Sequence, residues 1–301
     1  MSYNAIIKRY FLIIEKVASG QFPSLQEISS ALAREGHEIS DRTLQRDIEH
    51  IRNTFQIEIE YNKSRQGYFI NKETSLNLDN FTRFLEVLNT ASVFSDSVVN
   101  LKLPHSSIMF EASGNLKGAD YIKPVLLAIK NRKKISFAHH NYTFNSKKEY
   151  TIHPYLLKEY LYRWYVVGVL DHSKEIRTFG LDRIENLQIL TQGYAPTKQF
   201  NAKELFKHTI GLTYTTPSPQ EILFKVDSIQ AKYLEALPLH HSQQKINEDK
   251  KGIVFSIFVT PNVELVQQLL SWGEHIQVLK PLTLANKLTK IYKNSLKNYE
   301  H

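Results

Sequence analysis

The chain has 301 residues, of which 42% are hydrophobic and 23% charged, and it contains no cysteine. This balance is that of an ordinary globular protein, so collagen-like and disordered classes are excluded. The lack of cysteine excludes disulfides, thiolate catalysis and cysteine-based zinc sites, and the length suggests two or three domains. No run of about 18 uncharged apolar residues is present. With no export signal, the sequence predicts a cytoplasmic protein and no membrane partner.

Residues 1–72 carry the pattern of three helices followed by a hairpin. Apolar residues at helical spacing predict a first helix over 4–18. The second helix begins at a capping box of Ser24 and Glu27, and Ser40 can cap the third. Two strand-like runs around a polar, glycine-containing loop follow. This is the element order of a winged helix-turn-helix, whose third helix enters the major groove of double-stranded DNA.

The exposed side of the third helix is the candidate DNA-reading surface. Arginine pairs guanine with two hydrogen bonds and glutamine pairs adenine in the same way. The helix residues expected to reach base edges and phosphates are Arg42, Thr43, Gln45 and Arg46. Phosphate contacts, which position a protein without specifying sequence, are expected from Arg52, Lys63 and Arg65.

Charge is a weak point of this DNA-binding prediction. The net charge of the chain is +8, but residues 1–72 hold 10 Lys/Arg against 9 Asp/Glu. Because lysine and arginine supply most of the affinity for DNA, a homodimer is expected to multiply a modest single-module affinity. Asp41, Asp47 and Glu49 are expected to lie beside or behind the DNA surface.

The rest of the chain predicts further modules in series, giving a multidomain α+β protein. Residues 73–118 are interpreted as a helical connector. One helix and five β-rich runs over 119–192 predict a small, strongly bent barrel. A linker over 193–220 precedes the order β-α-β-β-α-β over 221–301, which is the ferredoxin-like order, with one more helix after it.

Three separated blocks within the predicted barrel carry a family resemblance. They are HPY at 153–155, WYV at 164–166 and RTFGLDRI at 177–184. In these blocks the chain resembles the WYL family of bacterial regulators, although Val166 replaces the leucine that gives the family its name. The run at 264–288 likewise resembles the C-terminal extension that often follows WYL modules and is thought to aid assembly.

The resemblance implies an Sm-like five-stranded barrel in a dimeric DNA-binding transcription regulator. It also implies that a basic face senses a nucleic-acid-like ligand, and single-stranded DNA or a nucleotide is the first candidate. Cations beside aromatic rings suit a phosphate and a stacked base. The candidate ligand residues are His153, Tyr155, Arg163, Tyr165, Arg177, Phe179 and Arg183. Residues 119–192 hold 12 Lys/Arg against 7 Asp/Glu, which favours an anionic ligand.

Other interpretations of these residues stay open. Arg183 can pair with Asp182 or Glu185, and Arg177 can be an ordinary surface charge. The 12 histidines lack the spacing of metal ligands, so neither a metal nor another cofactor is expected. No catalytic motif is found, so an enzyme is not expected. The alternatives are a nucleic-acid-processing enzyme that uses the barrel as a platform, and a constitutive architectural DNA-binding protein.

Overall fold

The computed structural model describes residues 3–55, 57–71, 75, 87, 117–142, 144–195, 201–214 and 218–300. The connector predicted over 73–118, with its apolar positions Phe81, Phe84, Leu85 and Leu88, lies almost entirely outside these residues. The chain forms two compact units, residues 1–111 and 112–301. The architecture is mixed α and β, with one two-stranded, one four-stranded and one five-stranded sheet among the described residues.

The described part of unit 1 contains three helices and a hairpin. They are α1 (Tyr3–Ala18), α2 (Leu25–Arg34), α3 (Asp41–Phe55), β1 (Ile59–Asn62) and β2 (Gly67–Ile70). The predicted capping box is present, since Ser24 Oγ accepts from the Glu27 amide and the Glu27 carboxylate accepts from the Ser24 amide. Ser40 Oγ accepts from the Thr43 amide at 3.3 Å and so begins α3. The three helices bury one apolar core together with Ile57, Ile59 and Ile70.

The hairpin is held against the loop between α1 and α2. The Tyr68 amide donates to the carbonyl of Pro23 at 2.8 Å. A side chain at Gly67 would place its Cβ 1.7 Å from the carbonyl oxygen of Phe22, so glycine is needed for this close approach. The hairpin therefore has a defined position relative to the helices.

A buried ion pair joins α1 to α3. Arg9 and Asp47 are each 2% exposed, and Arg9 Nε donates to Asp47 Oδ2. A charge in an apolar interior is costly unless it is paired and hydrogen-bonded, so the two groups must be brought together as the helices pack. The pair fixes which face of α3 points inward.

Unit 2 begins with a helix and five antiparallel strands. They are α4 (Ile122–Lys130), β3 (Lys133–Asn141), β4 (Ser146–Tyr160), β5 (Arg163–Leu170), β6 (Ile176–Gly180) and β7 (Ile184–Gly193). The strand order is β6-β5-β4-β3-β7, and a register shift lies between Pro154 and Leu156 of the 15-residue strand β4. The short helical turn Leu181–Arg183 joins the two outer strands. Apolar side chains of α4 and one face of the sheet form the core.

The rest of unit 2 contains the four-stranded sheet and its helices. Its elements are α5 (Ala202–Phe206), β8 (Gln220–Val226), α6 (Gln230–Ala236), β9 (Gln244–Asp249), β10 (Gly252–Val259), α7 (Val263–Ser271), β11 (Ile276–Lys280) and α8 (Leu282–Lys297). From β8 to β11 the order is the predicted β-α-β-β-α-β, with strands arranged β11-β8-β10-β9. Asn262 caps α7 by accepting from the Leu265 amide at 2.9 Å.

Part of the predicted linker contacts both the five-stranded and the four-stranded sheet of unit 2. The Tyr214 hydroxyl donates to the carbonyl of Ile176 at 2.7 Å, and Lys158 Nζ lies 4.6 Å from the centre of the Phe206 ring. On the other side, the buried carboxylate of Glu264 accepts from Thr213. Residues 201–214 therefore tie the five-stranded sheet to the four-stranded one.

Candidate functional site

Helix α3 presents a polar stripe on the side opposite its core residues. Arg42, Gln45 and Arg46 are exposed and lie at i, i+3 and i+4, on one face of the helix. Within the described residues, neither arginine forms a hydrogen bond or ion pair. Thr43 is half-buried, and its hydroxyl lies 3.1 Å from Ser40 Oγ at the cap. The three exposed side chains are thus free to contact a ligand, whereas Thr43 takes part in the start of the helix.

The acidic residues of α3 have different positions. Asp47 faces inward to Arg9, behind the exposed stripe, as expected. Glu49 is exposed, and it follows Arg42 by seven residues and Arg46 by three, so it lies on the same stripe. The expectation that Glu49 lies beside or behind this surface is wrong, because the helical period returns position 49 to the face of position 42. The carboxylate therefore reduces the positive charge of that face.

The three expected phosphate contacts are placed differently from one another. Arg52 donates to the carbonyl of Ile59 and lies 3.9 Å from a Glu58 oxygen, so it holds α3 against β1. Arg65, in the loop between β1 and β2, lies with its Cζ 4.4 Å from the centre of the Phe22 ring. Lys63 is exposed in the same loop. Lys63 and Arg65 remain available at the hairpin tip, whereas Arg52 has a structural partner already.

In unit 2 the candidate ligand residues separate into groups, and one group surrounds Asp182. Arg163 Nη1 lies 3.5 Å from Asp182 Oδ2, and Arg183 Nε lies 3.9 Å from Asp182 Oδ1. Tyr165 pairs with Gly180 across β5 and β6, next to this carboxylate. We call Arg163, Tyr165, Asp182 and Arg183 the Asp182 cluster. It contains two cations, one aromatic hydroxyl and one carboxylate.

Charges inside the Asp182 cluster shift the pKa of Tyr165 in opposite directions. Burial raises the pKa of Tyr165, the charge of Asp182 raises it further, and Arg163 opposes the shift. Gly180 makes room for the cluster, since a Cβ there would lie 2.5 Å from Asp182 Oδ1. Asp182 Oδ1 is buried without a hydrogen-bond partner within the described residues. The carboxylate is therefore held beside two guanidinium groups without saturating its own hydrogen bonds.

A second group is built around Tyr194. The rings of His153 and Tyr194 stack with centroids 4.9 Å apart, and the Tyr155 ring lies 5.2 Å from the same tyrosine. His153 Nε2 is 2.8 Å from Asp171 Oδ1, and Lys134 bonds the same carboxylate. These contacts join β3, β4 and the chain after β5 and β7. His153 is thus part of an internal network apart from the Asp182 cluster.

Arg177 and Phe179 belong to neither group. Arg177 Nη2 lies 3.0 Å from an oxygen of Glu175, which directly precedes β6. Phe179 is 3% exposed and packs against Phe137 and Tyr150 in the core. The expectation that Phe179 stacks on a ligand is therefore corrected. Its cross-strand partner is Val166, on the core face of β5, whereas Tyr165 points to the other face.

Comparison with known families identifies two segments of this chain. The model of the WYL domain matches residues 120–189, which run from the turn before α4 into β7. The model of the WCX domain matches residues 218–295, which run from β8 into α8. The chain therefore contains a WYL domain followed by a WCX domain.

Solved structures give more distant likenesses. Proteasome accessory factor B/C (PafBC) of Arthrobacter aurescens is 16% identical over 94% of this chain, with a TM-score of 0.31. This chain spans 45% of the length of that PafBC chain. A CRISPR Cas-related protein is 12% identical, with 99% of this chain and 85% of that chain covered and a TM-score of 0.40. A comparison with curated proteins finds no match.

Two tyrosines of the WYL domain were missed by the sequence reasoning. Tyr142, in the loop between β3 and β4, is 59% exposed, and Arg183 Cζ lies 5.6 Å from its ring centre. Tyr162, directly before Arg163, is 77% exposed. Both stand in runs rich in aromatic and basic residues, HHNYTF and YLYRWY, which is the signal that could have identified them. Only the folded strands bring Tyr142 to Arg183.

Within the described ranges, no group of three or more histidine, aspartate or glutamate side chains could hold a metal ion. Burial lowers the pKa of His139 and of His240 to about 4, so both imidazoles are neutral at pH 7. None of the described helices has the length and apolar character to cross a bilayer.

Proposed function

We propose that this protein is a transcription regulator whose N-terminal unit binds double-stranded operator DNA as a winged helix-turn-helix. The observation that carries the proposal is the stripe of Arg42, Gln45 and Arg46 on α3. These side chains are exposed, and neither arginine has a hydrogen-bond or ion-pair partner among the described residues. The adjacent hairpin carries Lys63 and Arg65 at its tip. A helix with such a face and an adjacent wing suits the major groove and the flanking phosphates.

The WYL domain is proposed to sense a nucleic-acid-like ligand. Its five strands, with the Leu181–Arg183 turn between the outer ones, are interpreted as an Sm-like barrel. At the Asp182 cluster, a phosphate can replace the carboxylate as the partner of Arg163 and Arg183, since the ion-pair distances of 3.5 and 3.9 Å leave both pairs weak. The unpaired bases of single-stranded DNA, or the base of a nucleotide, can then stack on nearby tyrosines.

Regulation requires that ligand and operator binding be coupled. A ligand shifts an equilibrium only by its difference in affinity between two states, and the coupling is reciprocal. We propose that the two states are homodimers with high and low operator affinity. Two copies of the near-neutral DNA-binding unit then act together, which compensates for the weak attraction of a single copy.

The test uses the full-length protein and a labelled duplex taken from upstream of its own gene. Operator affinity is measured with increasing amounts of an unlabelled single-stranded 12-mer. We expect the 12-mer to change the operator Kd by about 5- to 150-fold, the usual range of allosteric coupling. Arg183→Ala should remove that response and leave the Kd without 12-mer unchanged. Lys123→Ala, which removes an exposed charge on α4, is the matched control.

Two outcomes would contradict this proposal. If the 12-mer binds but never changes the operator Kd, the protein is a constitutive DNA-binding protein. If the protein cleaves labelled DNA when Mg²⁺ is added, it is a nucleic-acid-processing enzyme. Thermal unfolding of Arg183→Ala checks that the half-buried arginine is not simply needed for folding.

A further inference from the structure

The turn between β4 and β5 has an unusual backbone for the residues it contains. Tyr160 pairs with Arg163, so the hairpin loop consists only of Leu161 and Tyr162. Their φ angles are 49° and 62°. Positive φ at both central residues is the pattern of a type I′ turn, in which Asn-Gly and similar pairs are strongly preferred. A leucine followed by a tyrosine is strained there, because each Cβ crowds the backbone.

The described fold gains little from these two side chains. Leu161 is 66% and Tyr162 77% exposed, so neither contributes much apolar burial. The Tyr162 amide donates to the side-chain oxygen Oε1 of Glu159 at 2.7 Å, and any residue except proline at position 162 can donate this bond. Backbone strain at an exposed position, where packing does not offset it, is typical of functional sites.

The position of the turn indicates its partner. Arg163 follows Tyr162 directly and reaches Asp182. On the other side of that carboxylate, Arg183 lies next to the ring of exposed Tyr142. The strained turn therefore stands at the edge of the Asp182 cluster, where aromatic rings alternate with guanidinium groups. Proteins that bind single strands combine rings for bases with cations for the backbone.

We propose that Tyr162 stacks on an unpaired base of a single-stranded nucleic acid whose phosphate is bound by Arg163. This inference rests on the proposed sensing function and assigns its base-binding residue. A duplex is a poorer fit, since its bases already stack on one another. The strained turn is retained because Asn-Gly would place no ring at the cluster.

The decisive variant replaces the turn with the pair that its backbone prefers. Leu161→Asn with Tyr162→Gly should raise the Tm of the full chain by roughly 2 to 4 °C, because the strain is relieved. It should also weaken binding of a labelled, mixed-sequence single-stranded 12-mer by about tenfold, the loss of one stacked base. A residue with only a structural role would not give higher stability together with lower affinity.

Single substitutions separate the ring from the backbone. Tyr162→Phe should keep the 12-mer affinity within about twofold, whereas Tyr162→Ala should lose about as much as the double variant. Tyr299→Ala removes another highly exposed tyrosine and should change nothing. A labelled mononucleotide, measured in parallel, shows whether one base is enough for binding.

Three results would overturn the inference. The Asn-Gly variant could bind the 12-mer as wild type does, could be less stable than wild type, or could lose self-association at unchanged 12-mer affinity, which would make the turn a contact between copies. In each case wild type would still respond to the 12-mer, so the proposed function would stand. If wild type bound no 12-mer at low salt, the sensing function itself would fail.

Discussion

The arginines of α3 and those of the WYL domain are used differently. Arg42 and Arg46 extend from α3 without hydrogen bonds or ion pairs in the described part of the chain, whereas Arg163 and Arg183 share Asp182, and Arg177 pairs with Glu175. A phosphate can approach Arg42 and Arg46 without displacing a partner within that part of the chain. At the WYL domain a phosphate must replace a carboxylate, and breaking the existing ion pairs reduces the net free energy of phosphate binding. The exposed face of α3 therefore suits stable binding, and the paired arginines of the WYL domain suit an adjustable response.

The largest expected effect tests the scaffold under α3. Asp47→Ala removes the carboxylate that neutralises the buried Arg9 and should destabilise unit 1 by about 3 to 5 kcal/mol. Operator binding should be lost with it, while 12-mer binding by unit 2 should persist. Glu49→Ala, exposed on the same helix, is the control for thermal unfolding. Equal unfolding temperatures for the two variants would show that the pair does not hold α3.

The next effect concerns the free arginines themselves. Arg46→Ala should weaken operator binding by about 1 to 3 kcal/mol if the guanidinium reads a guanine. If it contacts a phosphate instead, all sequences weaken equally and the slope of log K against log salt falls by about one. Lys250→Ala, an exposed charge between β9 and β10, is the control in both measurements. Unchanged affinity and slope would remove Arg46 from the DNA surface.

A smaller effect, with the opposite sign, is expected at the paired arginines. Asp182→Asn removes the carboxylate that competes with ligand phosphates, so affinity for the single-stranded 12-mer should rise by about 1 kcal/mol, or roughly fivefold. The gain is small because the side chain of Arg163 is largely exposed and screened by solvent. Operator affinity without 12-mer should stay the same. Weaker 12-mer binding in this variant would show that Asp182 orients the arginines instead of competing for them.

An effect of a different kind is a pH dependence of stability in unit 2. Burial, and then the charge of Arg183, lower the pKa of His139 from 6.5 to about 4. The unfolded chain therefore takes up the proton first, so the contribution of His139 to stability is complete above pH 6.5 and is lost as pH falls toward 4. His139→Gln should flatten the fall of Tm over this range, and His172→Gln, at an exposed position, should not. Identical profiles would refute a buried neutral His139.

Local features of this fold could be predicted because they depend on nearby residues alone. The capping box of Ser24 and Glu27, the Asn262 cap and the β-α-β-β-α-β order are set by contacts within a few positions or by hydrophobic periodicity. The placement of Trp164 among core side chains follows from strand alternation in the same way. The seven candidate ligand residues could be named as a set, because cations and aromatics concentrate in the WYL blocks.

The grouping of the seven candidate ligand residues was decided by the pairing of strands, which no local sequence pattern specifies. Strand register places Phe179 opposite Val166 and turns it into the core, and it brings Tyr165 beside Asp182. Packing, through the contact of Arg183 with Tyr142, adds a tyrosine from the loop between β3 and β4. The sequence by itself determined the order of most helices and strands and the residue types that each segment carries. The tertiary structure decided which of those side chains share a surface, because a one-residue change of register moves every side chain of a strand to the opposite face.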